Sequence, residues 1–104
     1  MSIHSYTKSE KKMNWAQETA SVFKILADPT RCKILKLLVV NKDGMCVGEI
    51  AEGMSVSHSA VSHQLNDLED KGVLISEREG QTVCYKIADT RVAHNIVHIL
   101  EIFF

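Results

Sequence analysis

The amino-acid sequence predicts a mainly α-helical domain of five helices carrying one small β-hairpin, and three observations lead to that reading. Apolar residues recur at helical spacing from Trp15 to Leu68, with turn signals between the segments. Within Val47–Leu68 the pattern pauses for Ser55-Val56-Ser57, so a short helix, a tight turn and a second helix follow one another. After Gly72 the period changes from 3.6 to 2 for two short segments, then returns to helical spacing. Helix, turn, helix and hairpin in that order make a winged helix-turn-helix. At 104 residues and 11.6 kDa the chain has room for one domain.

The elements follow from local chemistry. Residues 1–13 are polar and aperiodic and read as an N-terminal arm, with the domain running from 14 to 104. Asn14 can cap a first helix whose stripe is Trp15, Thr19, Val22, Phe23 and Leu26. Asp28-Pro29 restarts the chain as N-cap and first helical residue of a second helix, with Cys32, Ile34, Leu35, Leu37, Leu38 and Val39. Asn41–Gly44 is a turn, and Met45-Cys46-Val47 reads as a very short strand. Gly48–Met54 is a short amphipathic helix with Ile50, Ala51 and Met54 inward. Ser57 or Ser59 opens the next helix, and Gly72 closes it in a left-handed conformation. Val73–Arg78 and Thr82–Ile87 are the strands, with Glu79-Gly80-Gln81 as the tip. Asp89 caps a last helix from about Thr90 to Phe103.

Composition narrows the function. The hydrophobic fraction is 45% and the charged fraction 24%, which suits a folded domain and excludes a disordered chain. No apolar run is long enough to span a membrane, and the polar N-terminus lacks a signal core, so a cytoplasmic location is expected. Three cysteines, an odd number, point to reduced thiols. No Gly-rich phosphate loop or nucleophile motif is present, so no enzyme is expected. The net charge of −1 hides an asymmetry: residues 1–36 hold seven Lys or Arg against three acids, and residues 37–104 hold five against ten.

Function concentrates in Val47–Leu68. Ala51 is small where the two helices cross, Val56 plugs the turn, and Val61 and Leu65 hold the second helix inward. Its outward residues are then Ser57, His58, Ser59, Ser62, His63 and Asn66, with Gln64 beside them. Such side chains hydrogen-bond base edges and phosphates, and a helix N-terminus attracts phosphate. Arg78, Gln81 and Thr82 are placed on the hairpin to reach the backbone or minor groove. Double-stranded operator DNA is therefore the expected partner. The competing reading is a winged-helix module for protein association, because residues 47–86 hold only Lys71, Arg78 and Lys86 against seven acids.

LADPTRCKILKLL followed by CVGEIAEGMSVSHSAVSHQLNDLEDKGVLISEREGQTVCYKI resembles the ArsR/SmtB family of small winged-helix repressors, over about residues 15–104. The resemblance implies a homodimer joined through its first and last helices, and an effector whose binding releases DNA. Three effector sites are implied. The family's Cys-Val-Cys thiolate site reads Cys46-Val47-Gly48, so Cys46 stands without the second thiolate unless Cys32 or Cys84 contributes. Sulfur-sensing members pair a cysteine of the second helix with one at the chain's end. Cys32 lies about a turn early for that role, and the Glu-Ile-Phe-Phe terminus has no cysteine. The last-helix site is represented by Asp89, His94, His98 and Glu101, donors that suit zinc, cobalt or nickel. His94, His98 and Glu101 share a helix face by their spacing, although His98-x-x-Glu101 arrives a turn early for the family pattern. The bland alternative is a polar stripe beside a dimer seam.

Overall fold

A computed structural model describes residues 14–104, and the arm expected over residues 1–13 lies outside the described residues. The order is α1 (Asn14–Leu26), α2 (Pro29–Val40), β1 (Met45–Cys46), α3 (Val47–Met54), α4 (His58–Asp70), β2 (Leu74–Glu79), β3 (Thr82–Ile87) and α5 (Arg91–Glu101). This is the expected set of five helices and a wing.

The boundaries have identifiable causes. Asp28 caps α2: its carboxylate accepts from the Thr30 N–H at 2.8 Å, with Pro29 at the first helical position. Ser55, at φ 56°, ends α3 in the left-handed region. Ser57, not Ser59, caps α4, its Oγ accepting from the Ala60 N–H at 3.2 Å. At the far end of α4, Gly72 takes φ +79°. Its N–H bonds the Glu69 carbonyl, and the Val73 N–H bonds the Leu68 carbonyl, both at 2.9 Å. That pair of reversed bonds satisfies carbonyls the helix would leave open and turns the chain into the wing. Two expectations shift here. The strand starts at Leu74, because Val73 is consumed by this turn. The cap of α5 is Thr90 rather than Asp89, its Oγ1 accepting from the Ala93 N–H at 3.2 Å, and the helix ends at Glu101, short of Phe103.

The hairpin is tighter than expected. Glu79 pairs with Thr82, leaving a two-residue tip, Gly80-Gln81, with Gly80 at φ +65°. The sheet has a third member: β1 lies antiparallel against β3 in the order β1-β3-β2, with Met45 opposite Tyr85 and Cys46 opposite Cys84. One strip of backbone pairing thus ties the entry of α3 to the inner strand of the wing.

A single cluster forms the core. Ile34, Leu35 and Leu38 of α2, Ile50 of α3, and Leu65 and Leu68 of α4 are fully buried, with Ile96 of α5 below them. Removing a side chain of this kind leaves a cavity worth about 2–5 kcal/mol. The outer helices are buried on one side only. In α1 the core takes Val22 and Ile25, whereas Trp15 and Phe23 of the expected stripe are 51% and 55% exposed. Beyond α5, Ile102 and Phe103 are more than three-quarters exposed.

Gly44 enters β1 at φ +103°, and a Cβ there would stand 3.0 Å from the Tyr85 carbonyl oxygen. Backbone in that region admits side chains only with strain. Gly44→Ala is expected to lower stability by about 1–3 kcal/mol, read as a lower urea midpoint with unchanged slope.

Candidate nucleic-acid interface

Helix α4 is held from behind and bare in front. Val61, Leu65 and Leu68 are buried, while Ser57, His58, Ser59 and His63 are exposed and Ser62 is half-buried at the edge. The exposed set clusters at the helix N-terminus, where free N–H groups face outward. The wing tip presents Arg78, Gln81 and Thr82, all exposed.

Two of the polar residues expected on this face also have partners within the fold. Gln64 is half-buried and turned toward α2: Arg31 Nε donates to its Oε1 at 2.8 Å, and its Nε2 donates to Asp28 Oδ2 at 3.3 Å. Asn66 accepts from the Tyr85 hydroxyl at 2.9 Å, which joins α4 to β3. Burial, with Glu69 nearby, raises the Tyr85 pKa and keeps that hydroxyl protonated as the donor. Glu69 in turn accepts from Ser76 N–H at 3.1 Å and Oγ at 2.6 Å, anchoring β2.

Arg31 also bridges to Asp67, whose other oxygen accepts from Lys71 Nζ at 2.7 Å. The hydrogen bond from Lys71 is the largest influence on the Asp67 carboxyl and, joined by the lesser effects of the Lys71, Arg31 and His63 charges, holds it below its ordinary range against desolvation. Arg31 and Asp67 carry no motif, and nothing in a single sequence indicates that residues 36 apart meet. Electrostatically the face is sparse. Lys71 is engaged by Asp67, and Arg78 near the wing tip is exposed.

The cysteines depart from expectation. Cys46 and Cys84 form a disulfide, so the thiols are not all reduced. The reason lies in the β1–β3 register, which sets the two residues opposite each other across 38 positions of sequence. Cys32 is the free thiol, half-buried, with Sγ donating to the Leu26 carbonyl at 3.2 Å. Glu79 is beside the pair: donor atoms of Cys46, Glu79 and Cys84 lie within 4.8 Å of one another.

On α5, His94 Nε2 meets Asp89 Oδ1 at 2.8 Å. Asp89, His94, His98 and Glu101 line one open cavity of about 500 Å³ with Leu38, Val39 and Lys42. Among the described residues, however, three of these donors do not converge as the Cys46 group does. Within one chain, the contact among these four donors is the Asp89–His94 pair.

A helix braced on its inner face, a polar outer face and an exposed wing define a winged helix-turn-helix DNA-binding regulator. Residues 28–76 match the model of the bacterial regulatory proteins of the arsR family. Among curated proteins, the chain is 39% identical over 80 residues to a transcriptional repressor SmtB homolog of Synechocystis sp.. That match takes in 77% of this chain and 59% of the relative's length. Among solved structures, it is similar to the AntR antimony-specific transcriptional repressor, with TM-score 0.77, 30% identity and coverage of 93% of this chain and 80% of that one. It is also similar to the homodimeric winged helix-turn-helix DNA-binding domain Mb0332 of Mycobacterium bovis, with TM-score 0.72, 28% identity and coverage of 92% and 87%. The chain belongs to the ArsR family.

Asp67 gives this interface a pH signature. Its folded pKa is depressed, so its contribution is present above the ordinary carboxylate pKa and is lost as pH falls through the folded value. Asp67→Asn should lower stability at neutral pH and make the decline toward about pH 3 shallower than in the parent, as urea midpoints across that range will show.

Proposed function

We propose that this chain is a cytoplasmic transcriptional repressor that reads an imperfect inverted repeat as a homodimer and leaves it when an effector, a divalent metal ion or a thiol-directed species, acts on it. The carrying observation is the two-sidedness of α4, with Val61, Leu65 and Leu68 buried behind and Ser57, His58, Ser59, Ser62 and His63 in front. Gln64 supports the helix from α2, while Arg78 and Gln81 serve the flanking backbone or minor groove. We read the chain as a binding protein rather than an enzyme, in line with the regulators it is similar to.

Dimerisation is supported by the apolar surface of α1 and the end of α5. Phe23, Leu26, Ile99, Phe103 and Phe104 line one groove, and Trp15 lies further along α1. A two-fold pairing there would cover these side chains and repeat the reading helix about one DNA turn away. The similar structure described as a homodimer supports a dimeric state.

The second reading, a protein-association module, is favoured by one observation: seven acids against three bases over residues 47–86. Binding of the chain's own upstream DNA, read by fluorescence anisotropy, separates the two. The repressor reading expects specific binding with a shallow salt dependence, because few cations meet phosphate. The Ser62→Ala/His63→Ala variant should bind more weakly by about 1–3 kcal/mol per lost base contact, with little change in thermal stability. Equal affinity for specific and unrelated DNA favours the association module.

For the effector, Asp89, His94, His98 and Glu101 are the proposed borderline-metal set, for zinc, cobalt or nickel. The Asp89–His94 pair supplies the first two donors, and donors from the partner's last helix would have to complete the shell. Coupling to DNA requires different metal affinities in the free and bound forms. Titration of the reduced dimer should show affinity of about micromolar or tighter, lost in His94→Ala/His98→Ala. Binding unaffected by that variant moves the effector to the thiols.

A further inference from the structure

The disulfide between Cys46 and Cys84 encloses the reading head. Cys46 stands immediately before α3 and Cys84 lies in the inner strand of the wing, so the closed loop contains α3, the turn, α4, β2 and the hairpin tip. The two residues are direct partners in the β1–β3 ladder, with Cα atoms 3.7 Å apart. Their meeting is therefore set by backbone pairing and does not depend on the covalent bond. Both residues are half-buried, so neither is sealed in the core.

Their surroundings are unequal. Cys46 is the N-cap of the eight-residue α3, where the partial positive charge of the helix favours a thiolate. The Glu49 carboxylate nearby is occupied by the Cys46 backbone N–H at 2.9 Å. Cys84 Sγ is 3.9 Å from Glu79 Oε2, which can hold the Cys84 proton. A Glu79 oxygen also lies within 4.8 Å of Cys46 Sγ, so this carboxylate opposes two thiolates at once, and the helix N-terminus favours Cys46 as the one that forms.

We propose that Cys46 and Cys84 form a reversible, peroxide-responsive dithiol–disulfide switch that clamps the wing to the start of the helix-turn-helix. The Cys46 thiolate attacks one oxygen of hydrogen peroxide. The O–O bond breaks, the leaving hydroxide takes up the proton released from Cys46, and Cys46 becomes a sulfenic acid. The Cys84 sulfur then attacks the Cys46 sulfur. The S–O bond breaks, and the hydroxide leaves as water with the Cys84 proton. Two thiols and one hydrogen peroxide give one disulfide and two waters, the two electrons passing from sulfur to the O–O bond. A small dithiol reverses the reaction by exchange. The clamp deepens the thiol-directed arm of the proposed repressor, and its chemistry is testable without DNA.

The experiment treats fully reduced chain with hydrogen peroxide and titrates thiols after unfolding. The titre should fall from three to one, with Cys46 and Cys84 recovered in one peptide pair of the same chain. The melting temperature should rise by about 8 °C or more, since the link closes a long loop. Dithiothreitol should restore both values. Cys32→Ser should preserve the response, and Cys46→Ser or Cys84→Ser should abolish it. Operator affinity should differ between the two forms by about fivefold or more. A titre that stays at three, a link through Cys32 or between chains, or equal operator affinity overturns the switch. So does a thiolate–metal absorption with cadmium, lost in Cys46→Ser, in a chain that peroxide leaves reduced, because the pair is then a chelating site. If neither form binds DNA, the repressor reading fails instead, and the thiol titre and melting temperature decide whether the clamp exists.

Discussion

The burial of one face of α4 is the constraint on which the rest of the molecule depends. Val61, Leu65 and Leu68 lie within the same cluster as Ile34, Leu38 and Ile50, so the helix cannot rotate without exposing several large side chains. Burial at roughly 25 cal/mol per Å² makes any such rotation cost several kcal/mol. The opposite face is therefore presented to solvent in one orientation. A reading helix needs that property, because misaimed side chains lose their base contacts. Local chemistry agrees at both ends: Ser57 starts the helix and Gly72 ends it with two reversed bonds.

Polar ties around the flanks extend the same rigidity. Arg31 holds Gln64 and Asp67 and so fastens α4 to α2. Asn66 and Glu69 fasten it to β3 and β2 through Tyr85 and Ser76. The wing is thus aimed by the same helix whose outer face is exposed. The β1–β3 ladder adds a second line of connection, from the wing to the entry of α3. Packed, hydrogen-bonded elements therefore connect that ladder with α4.

Much of this was legible in the sequence where the signal is local. Asp28-Pro29, Ser57, Gly72 and the change of period after it each act over a few residues, and each appears where expected. Asp89 looked like the cap of α5 because it is an acid just ahead of an apolar stripe, yet Thr90 is the residue whose hydroxyl reaches Ala93. The contacts at the interface that the sequence did not reveal share one cause. Gln64 and Asn66 have the composition and spacing of outward groove-readers, but distant partners, Arg31 and Tyr85, claim them. Whether Cys84 or Cys32 joins Cys46 was illegible for the same reason, since only the strand register sets Cys84 opposite Cys46. Hydrophobic periodicity reports which face is inward, not which polar group on the remaining face already has a partner.

The most direct test of the account is a footprint of the chain on its own upstream DNA. Two copies of α4 on a two-fold dimer should protect two segments of the major groove whose centres are about 10–10.5 base pairs apart. The segments should fall on one side of the duplex, related as an imperfect inverted repeat, with weaker minor-groove protection outside each from the wing. A single protected segment, or uniform protection that ignores sequence, would contradict it.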